Sequence, residues 1–179
     1  MSVDPSVREA MLANVPALRA YAVSLCRNAD RADDFVQETL VRAWAHIGSF
    51  QAGTNMTAWL FTILRNAFHS DFRKRRREVA DSDGSYAATL TAPPEQNGHL
   101  QFEEMRSALS RLPLEQREVL VLVGASGFSY EEAAEICNCA VGTVKSRVNR
   151  ARARLAEIMS IDTNDDFGLN HEQRAVLAR

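Results

Sequence analysis

The chain has 179 residues, of which 46% are hydrophobic, so it can build a packed core and is not disordered throughout. Its net charge of −2 hides an uneven distribution: residues 51–78 carry six basic and two acidic groups, and residues 143–154 carry five basic groups and no acid. No apolar run is long enough to cross a membrane and no secretory signal opens the sequence, so we expect a cytoplasmic protein with no membrane partner.

The first part of the chain predicts three amphipathic helices, because apolar residues recur at spacings of three and four over about 6–27, 32–47 and 57–77. Asn55 or Thr57 is expected to cap the third helix. The inward side of the second helix is formed by Phe35, Val36, Leu40, Trp44 and Ile47. The wide apolar arc of the third helix is formed by Trp59, Leu60, Ile63, Leu64, Ala67, Phe68 and Phe72.

The helical repeat disappears between Val79 and His99. Turn-forming residues, three acids and two prolines predict an acidic, extended linker there. We therefore predict a domain at 1–78, a linker at 79–101, a second domain at 102–160 and a tail at 161–179.

The second part of the chain also predicts helices, which begin near Leu100, at Pro113, after Ser129 and at Val141. The segment 119–123 fits a short strand as well as a helix, but its helix-forming neighbours favour a helix. The predicted fold class is therefore all-α, with two small helical domains joined by a flexible linker.

The strongest functional signal is the segment 129–147, in which a short capped helix, a turn and a second helix predict a helix-turn-helix. Small Ala133 and Ala134 permit a close contact between the two helices. The second helix has one apolar face, and the N-terminal half of its opposite face offers hydrogen-bonding and basic groups without an acid, as the DNA major groove requires. An ordinary amphipathic helix with a solvated basic face is the alternative.

Two further polar surfaces stand out in the first part of the chain. The 57–77 helix carries a stripe that suits a phosphate backbone and unpaired bases, although a basic last turn is also favoured by the helix dipole alone. The members of this polar stripe are Thr62, Arg65, Asn66, His69, Arg73 and Arg76. The 32–47 helix has an acidic corner near its start, which capping alone also explains.

Enzymatic and metal-binding signals are weak. The sequence lacks the phosphate-binding, dinucleotide-binding and zinc-protease motifs, so we expect no enzymatic activity. Three cysteines, Cys26, Cys137 and Cys139, make an odd number, which argues against a disulfide framework. A single C-x-C pair lacks two further ligands for zinc, so we expect neither a metal nor a cofactor.

Motifs in both parts of the chain resemble bacterial sigma factors. Residues 34–44 (DFVQETLVRAW) and 58–66 (AWLFTILRN) resemble their second conserved region, and residues 141–152 (VGTVKSRVNRAR) are similar to the promoter-reading helix of their fourth region. The order of the motifs, the linker and the length resemble the two-domain extracytoplasmic-function (ECF) sigma factors. Residues 127–134 together with Cys137-Asn138-Cys139 are most similar to the alphaproteobacterial general stress response class. Phe35 departs from the pattern, since Leu is usual there.

The resemblance implies binding to core RNA polymerase and to promoter DNA. It implies contacts with the β′ clamp through Asp34, Gln37 and Glu38, and a second contact with the β flap. It places the polar stripe of the 57–77 helix, after the loop 48–56, on the −10 element, where the strands are opened. It assigns the −35 element to Thr143, Lys145, Ser146, Arg147, Asn149 and Arg150.

The resemblance also implies regulation by a small anti-sigma protein, which a phosphorylated response regulator draws away. Because each half is small and the linker permits any arrangement, we expect a segment of the anti-sigma protein to lie between the halves. A stand-alone helix-turn-helix regulator and a sigma-mimic interaction module are the alternative functions. The first leaves the 34–44 pattern unexplained, and the second has no need of the basic 143–154 helix.

Overall fold

The computed structural model describes residues 5–50, 53–81 and 99–159, which form helices and the loops between them. The helices are α1 (Pro5–Ala13), α2 (Val15–Cys26), α3 (Ala29–Ala45), α4 (Met56–Asp81), α5 (His99–Ser110), α6 (Leu114–Gly124), α7 (Tyr130–Cys137) and α8 (Val141–Met159). A short 3₁₀ turn, Ile47–Ser49, follows α3. Since these ranges contain no strand, the all-α prediction is confirmed.

The predicted linker and tail fall largely outside the described residues. The helices α4 and α5 overlap the two ends of the predicted 79–101 linker, while its middle and the 161–179 tail are outside the described ranges. None of the helices within those ranges is both long and apolar enough to cross a membrane.

The prediction of one helix over 6–27 is wrong, because the chain forms α1 and α2 with a break at Asn14. Pro16 lies in the first turn of α2, where a backbone N–H has no acceptor within the helix. The missing N–H of proline therefore costs no helical hydrogen bond. The side-chain amide of Asn14 donates a hydrogen bond of 2.8 Å to the carbonyl oxygen of Ala10, which satisfies the end of α1. The apolar repeat runs through the break, so periodicity alone does not reveal it.

The N-terminal half packs α2, α3 and α4 around a shared core that includes Leu18, Phe35, Leu60 and Leu64. The inward prediction for Trp44 is wrong, since Trp44 is 48% exposed beside a groove that α1 and α3 line. Phe72, on the predicted apolar arc of the third helix, is 45% exposed, because α4 extends beyond the bundle from that point.

The C-terminal half packs α6 and α7 against α8, and the segment 119–123 is helical as predicted. Ile136 and Val144 are buried at the corner between α7 and α8. The predicted apolar face of α8 is confirmed, since all its members are buried: Val144, Val148, Ala151 and Leu155.

The two halves contact each other directly, mainly α2 against α6 and α4 against α7. Tyr21 stacks on Phe61, and Phe61 meets Phe128 edge to face, each pair with ring centroids 4.9 Å apart. Arg117 of α6 donates a hydrogen bond of 3.0 Å to the carbonyl oxygen of Leu25. The expectation that a partner segment lies between the halves does not fit this closed arrangement, because side chains of the two halves fill the interface.

Candidate nucleic-acid interface

Local hydrogen bonds position the helix-turn-helix. The Ser129 hydroxyl oxygen accepts from the backbone N–H of Glu132 at 3.1 Å, and the Glu132 carboxylate accepts from the backbone N–H of Ser129 at 2.9 Å. This capping box starts α7, as the sequence predicts for Ser129. Asn138 ends α7 in the left-handed conformation, with φ of 48°, which turns the chain into α8.

The polar face of α8 faces solvent. Ser146, Asn149 and Arg150 are exposed, and Thr143, Lys145 and Arg147 are half-buried at its edges. Arg147 pairs with Glu115 of α6, and the Lys145 ammonium lies 5.8 Å from the centre of the Tyr130 ring. Within the described part of the chain, the side-chain partners of this face belong to the C-terminal half. The face is therefore accessible to DNA while the two halves are in contact.

The predicted polar stripe lies on α4, and we call it the α4 stripe. Unlike the face of α8, it does not form one open surface. Asn66, Arg73 and Arg76 are exposed, but Arg65 and His69 turn toward the C-terminal half. The Thr62 hydroxyl donates a hydrogen bond of 2.8 Å to the carbonyl oxygen of Ala58. While the two halves are in contact, the six residues therefore do not present one continuous surface to DNA, and their role stays a prediction.

Glu118 of α6 is the group that holds Arg65 and His69. Its side chain is fully buried, and its Oε1 lies 2.8 Å from Arg65 Nε, 2.9 Å from His69 Nε2 and 3.4 Å from the Tyr21 hydroxyl oxygen. Burial alone would raise the pKa of Glu118, but the hydrogen bond from His69 and the charge of Arg65 outweigh it and lower the pKa. Burial, reinforced by Glu118, raises the pKa of Tyr21 well above its usual value.

Sequence reasoning missed Glu118, although one signal was available. Glu118 lies on the inward face of α6, one turn before the buried residues Val121 and Leu122. A carboxylate on such a face requires a donor from elsewhere in the fold, because an unpaired buried charge is very costly. The position of Glu118 therefore predicts a buried partner, without telling which residue it is.

The acidic corner of α3 lies at the surface beside an apolar groove. Asp34 and Gln37 are exposed, and Glu38 accepts a hydrogen bond of 2.5 Å from Arg42. The groove is lined by Arg8, Met11, Leu12, Leu40, Val41 and Trp44. Three of these side chains are about half exposed or more, which is unusual for large apolar groups: Leu12, Val41 and Trp44. Such a patch is typical of a protein-binding surface.

The loop before α4 brings the two halves together at the edge of the interface. The Asn55 side-chain oxygen accepts from the backbone N–H of Ala58 at 3.1 Å, so Asn55 is the cap of α4. Its amide nitrogen donates a hydrogen bond of 2.8 Å to Glu132 of α7. Residues 51 and 52 are outside the described ranges, so the expected pocket in this loop stays a prediction.

The cysteines are free thiols in this fold. Burial raises the pKa of Cys137 to about 12, which keeps its thiol protonated and unreactive at neutral pH. Among the residues that the structure describes, no three His, Cys, Asp or Glu side chains come together as metal ligands.

Comparisons with known proteins agree with this architecture. The family descriptions "Sigma-70 region 2" and "Sigma-70, region 4" match residues 11–78 and 102–155. The ECF RNA polymerase sigma factor EcfG of Rhodopseudomonas palustris is 63% identical over 177 residues, which cover 99% of this chain and 98% of that protein. The sigma factor RpoE of Bartonella quintana, solved in complex with the anti-sigma factor NepR, is 52% identical, with a TM-score of 0.83 over 89% of this chain and 99% of that one.

The chain has two helical domains, and the second contains a helix-turn-helix. This is the architecture of a sigma-70 family protein. The chain belongs to the ECF sigma factors, and its similarity to EcfG and RpoE confirms the general stress response class predicted from the sequence. It is thus an RNA polymerase sigma factor that directs promoter-specific initiation of transcription.

Proposed function

We propose that the three polar surfaces divide the work of a sigma factor in the way the motifs predict. The α3 corner binds the β′ clamp, the α4 stripe receives opened −10 DNA, and the polar face of α8 reads the −35 element. The observation that carries this proposal is the exposed face of α8, which is free of acids in its N-terminal half and is oriented by a capped α7. Since its partners are polymerase and DNA, the protein acts in the cytoplasm and has no catalytic role of its own.

The apolar groove beside the corner supports a protein-binding role for α3. Leu12, Val41 and Trp44 offer the kind of exposed apolar surface that a helix of a partner covers, and Asp34 and Gln37 at its edge offer polar contacts. Within the described residues, neither Asp34 nor Gln37 has a side-chain partner of its own. These groups are therefore available to the clamp.

Regulation by an anti-sigma protein is the second element of the proposal. RpoE of Bartonella quintana, which resembles this chain over most of its length, was solved with the anti-sigma factor NepR. A related small protein would bind the closed chain, cover the clamp-binding face together with α8, and compete with polymerase. A phosphorylated response regulator would remove it and release the factor to general stress response genes.

One experiment tests the proposed function against its alternatives. The chain is combined with core RNA polymerase, and promoter-specific run-off transcripts are measured. A stand-alone regulator or a sigma mimic gives no such transcripts. In the same assay, replacing Arg65 and Asn66 with Ala should reduce promoter melting, measured by permanganate reactivity of thymines, more than it reduces duplex binding.

The anti-sigma part has its own test, a competition between the anti-sigma protein and core polymerase for the labelled chain. We expect mutual displacement. Simultaneous binding at saturating concentrations would falsify the occlusion mechanism.

A further inference from the structure

A buried carboxylate of the C-terminal half has its partners in the N-terminal half. Glu118 is fully buried, and the side chains that donate to it within the described residues, Arg65, His69 and Tyr21, come from α4 and α2. Neighbouring Arg117 likewise reaches the carbonyl oxygen of Leu25 in α2. The hydrogen bonds of the Glu118 carboxylate within the described residues therefore all belong to the contact between the halves.

The contact with Glu118 occupies two side chains of the proposed DNA surface, Arg65 and His69. The Arg65 side chain is only 15% exposed and that of His69 23%, whereas Arg73 and Arg76 further along the same stripe are exposed. The Arg65 guanidinium donates to both carboxylate oxygens, at 2.8 and 3.5 Å. A guanidinium binds a phosphate with the same fork of N–H donors, so it cannot serve Glu118 and DNA together.

We infer that Glu118 is an autoinhibitory residue that stands in for a DNA phosphate within the free protein. It holds Arg65 and His69 away from single-stranded DNA while the halves are in contact, and it releases them when the halves separate. The inference rests on the proposed role of the α4 stripe, and it adds an internal mechanism of control that acts before any partner binds. A carboxylate removed from water is well tolerated only with such donors, so the buried Glu118 keeps Arg65 and His69 on it while the halves are in contact.

The test uses the full chain with Glu118→Gln, which keeps the size of the side chain and removes its charge. The matched control is Glu104→Gln on α5, an exposed acid in the same half, which removes one negative charge without touching the interface. Two quantities are measured for each variant: the radius of gyration by small-angle X-ray scattering, and the affinity for a fluorescein-labelled single-stranded DNA of mixed sequence. Far-UV circular dichroism verifies that the helices are retained.

We expect Glu118→Gln to increase the radius of gyration and to bind the single strand about tenfold more tightly, because a larger fraction of the chain is then competent to bind. The control should leave the radius unchanged and change the affinity by less than about twofold. Adding Arg65→Ala to Glu118→Gln should remove most of the gain in affinity, since the gain passes through that guanidinium.

An unchanged radius of gyration overturns the inference, and so does an open chain whose affinity is no greater than that of the control. The run-off assay separates these failures from failure of the proposed function. Normal promoter melting by the Arg65 and Asn66 variant removes the DNA role of the stripe, whereas a melting defect together with an unchanged radius rejects only the autoinhibitory contact. If Glu118→Gln loses helix content, Glu118→Met, which is also uncharged and similar in size, takes its place, and a closed chain with unchanged affinity then overturns the inference.

Discussion

The helices α4 and α8 both carry a basic polar stripe, but the two stripes are held differently. On α8 the side chains are exposed or paired within their own half, as Arg147 is with Glu115. On α4 only Arg65 and His69 are held against Glu118 of the other half, while Asn66, Arg73 and Arg76 are exposed. A basic face in a sequence therefore does not show whether the face is open, because that depends on what the rest of the fold brings against it.

The two ends of α4 allow this difference to be tested with one residue type. Phe61 is fully buried between Tyr21 and Phe128, whereas Phe72 is 45% exposed. We expect Phe61→Ala to lower the free energy of unfolding by about 3–5 kcal/mol, because it leaves a cavity in a packed interface. Phe72→Ala should change it by about 0.5 kcal/mol or less. Urea denaturation measures both, and equal losses would contradict the division of α4 into a packed and a free end.

The face of α3 that is proposed to bind the clamp provides a second comparison, since it is exposed as the polar face of α8 is. We expect Asp34→Arg to weaken association with core polymerase by about 2 kcal/mol, because it places a cation where the partner is proposed to meet an acid. Gln37→Ala should weaken it less. Fluorescence titration with labelled core polymerase measures this, and Glu104→Arg on the opposite half is the control. An Asp34→Arg holoenzyme of normal affinity would rule out this residue as a clamp contact.

The exposed and the half-buried groups of α8 should differ in how they affect DNA binding. Ser146→Ala or Asn149→Ala should reduce discrimination at the −35 element by about 1–3 kcal/mol, as expected for groups that reach base edges. Arg147→Ala should instead weaken binding to all sequences alike and reduce the salt slope by about 1, because its place at the core edge favours a phosphate contact. Holoenzyme binding to promoters with altered −35 sequences measures both, and an unchanged preference in the first two variants would show that α8 is docked differently.

Local features were predictable from the sequence, and contacts between distant residues were not. The Ser129 cap, the buried face of α8 and the helical state of 119–123 follow from neighbouring residues, so patterns at short spacing predict them. The exposure of Trp44 and Phe72 depends on how α1 lies beside α3 and on how far α4 extends, which periodicity does not encode. Arg65 and Glu118 are 53 positions apart in the chain, so only the tertiary fold reveals that they pair.

The smallest predicted effect concerns the hydrogen bond between Asn55 and Glu132 at the edge of the interface. Asn55 caps α4 with its side-chain oxygen and contacts Glu132 with its nitrogen, while Glu132 closes the capping box of α7 with its other oxygen. Asn55→Asp keeps the capping oxygen but replaces the donor with a second carboxylate. It therefore removes only the hydrogen bond between Asn55 and Glu132 and leaves both caps in place.

We expect Asn55→Asp to cost about 0.5 kcal/mol in free energy of unfolding, because the pair is exposed and screened by water. Asn55→Ala should cost about 1 kcal/mol, since it also removes the cap. Glu132→Gln combined with Asn55→Asp should recover most of the loss, because the two carboxylates no longer repel each other. Urea denaturation of the three variants gives these values. If Asn55→Asp cost as much as Phe61→Ala, the edge would stabilise the closed arrangement as strongly as the packed aromatic centre, and the contrast between buried and exposed contacts across this interface would be wrong.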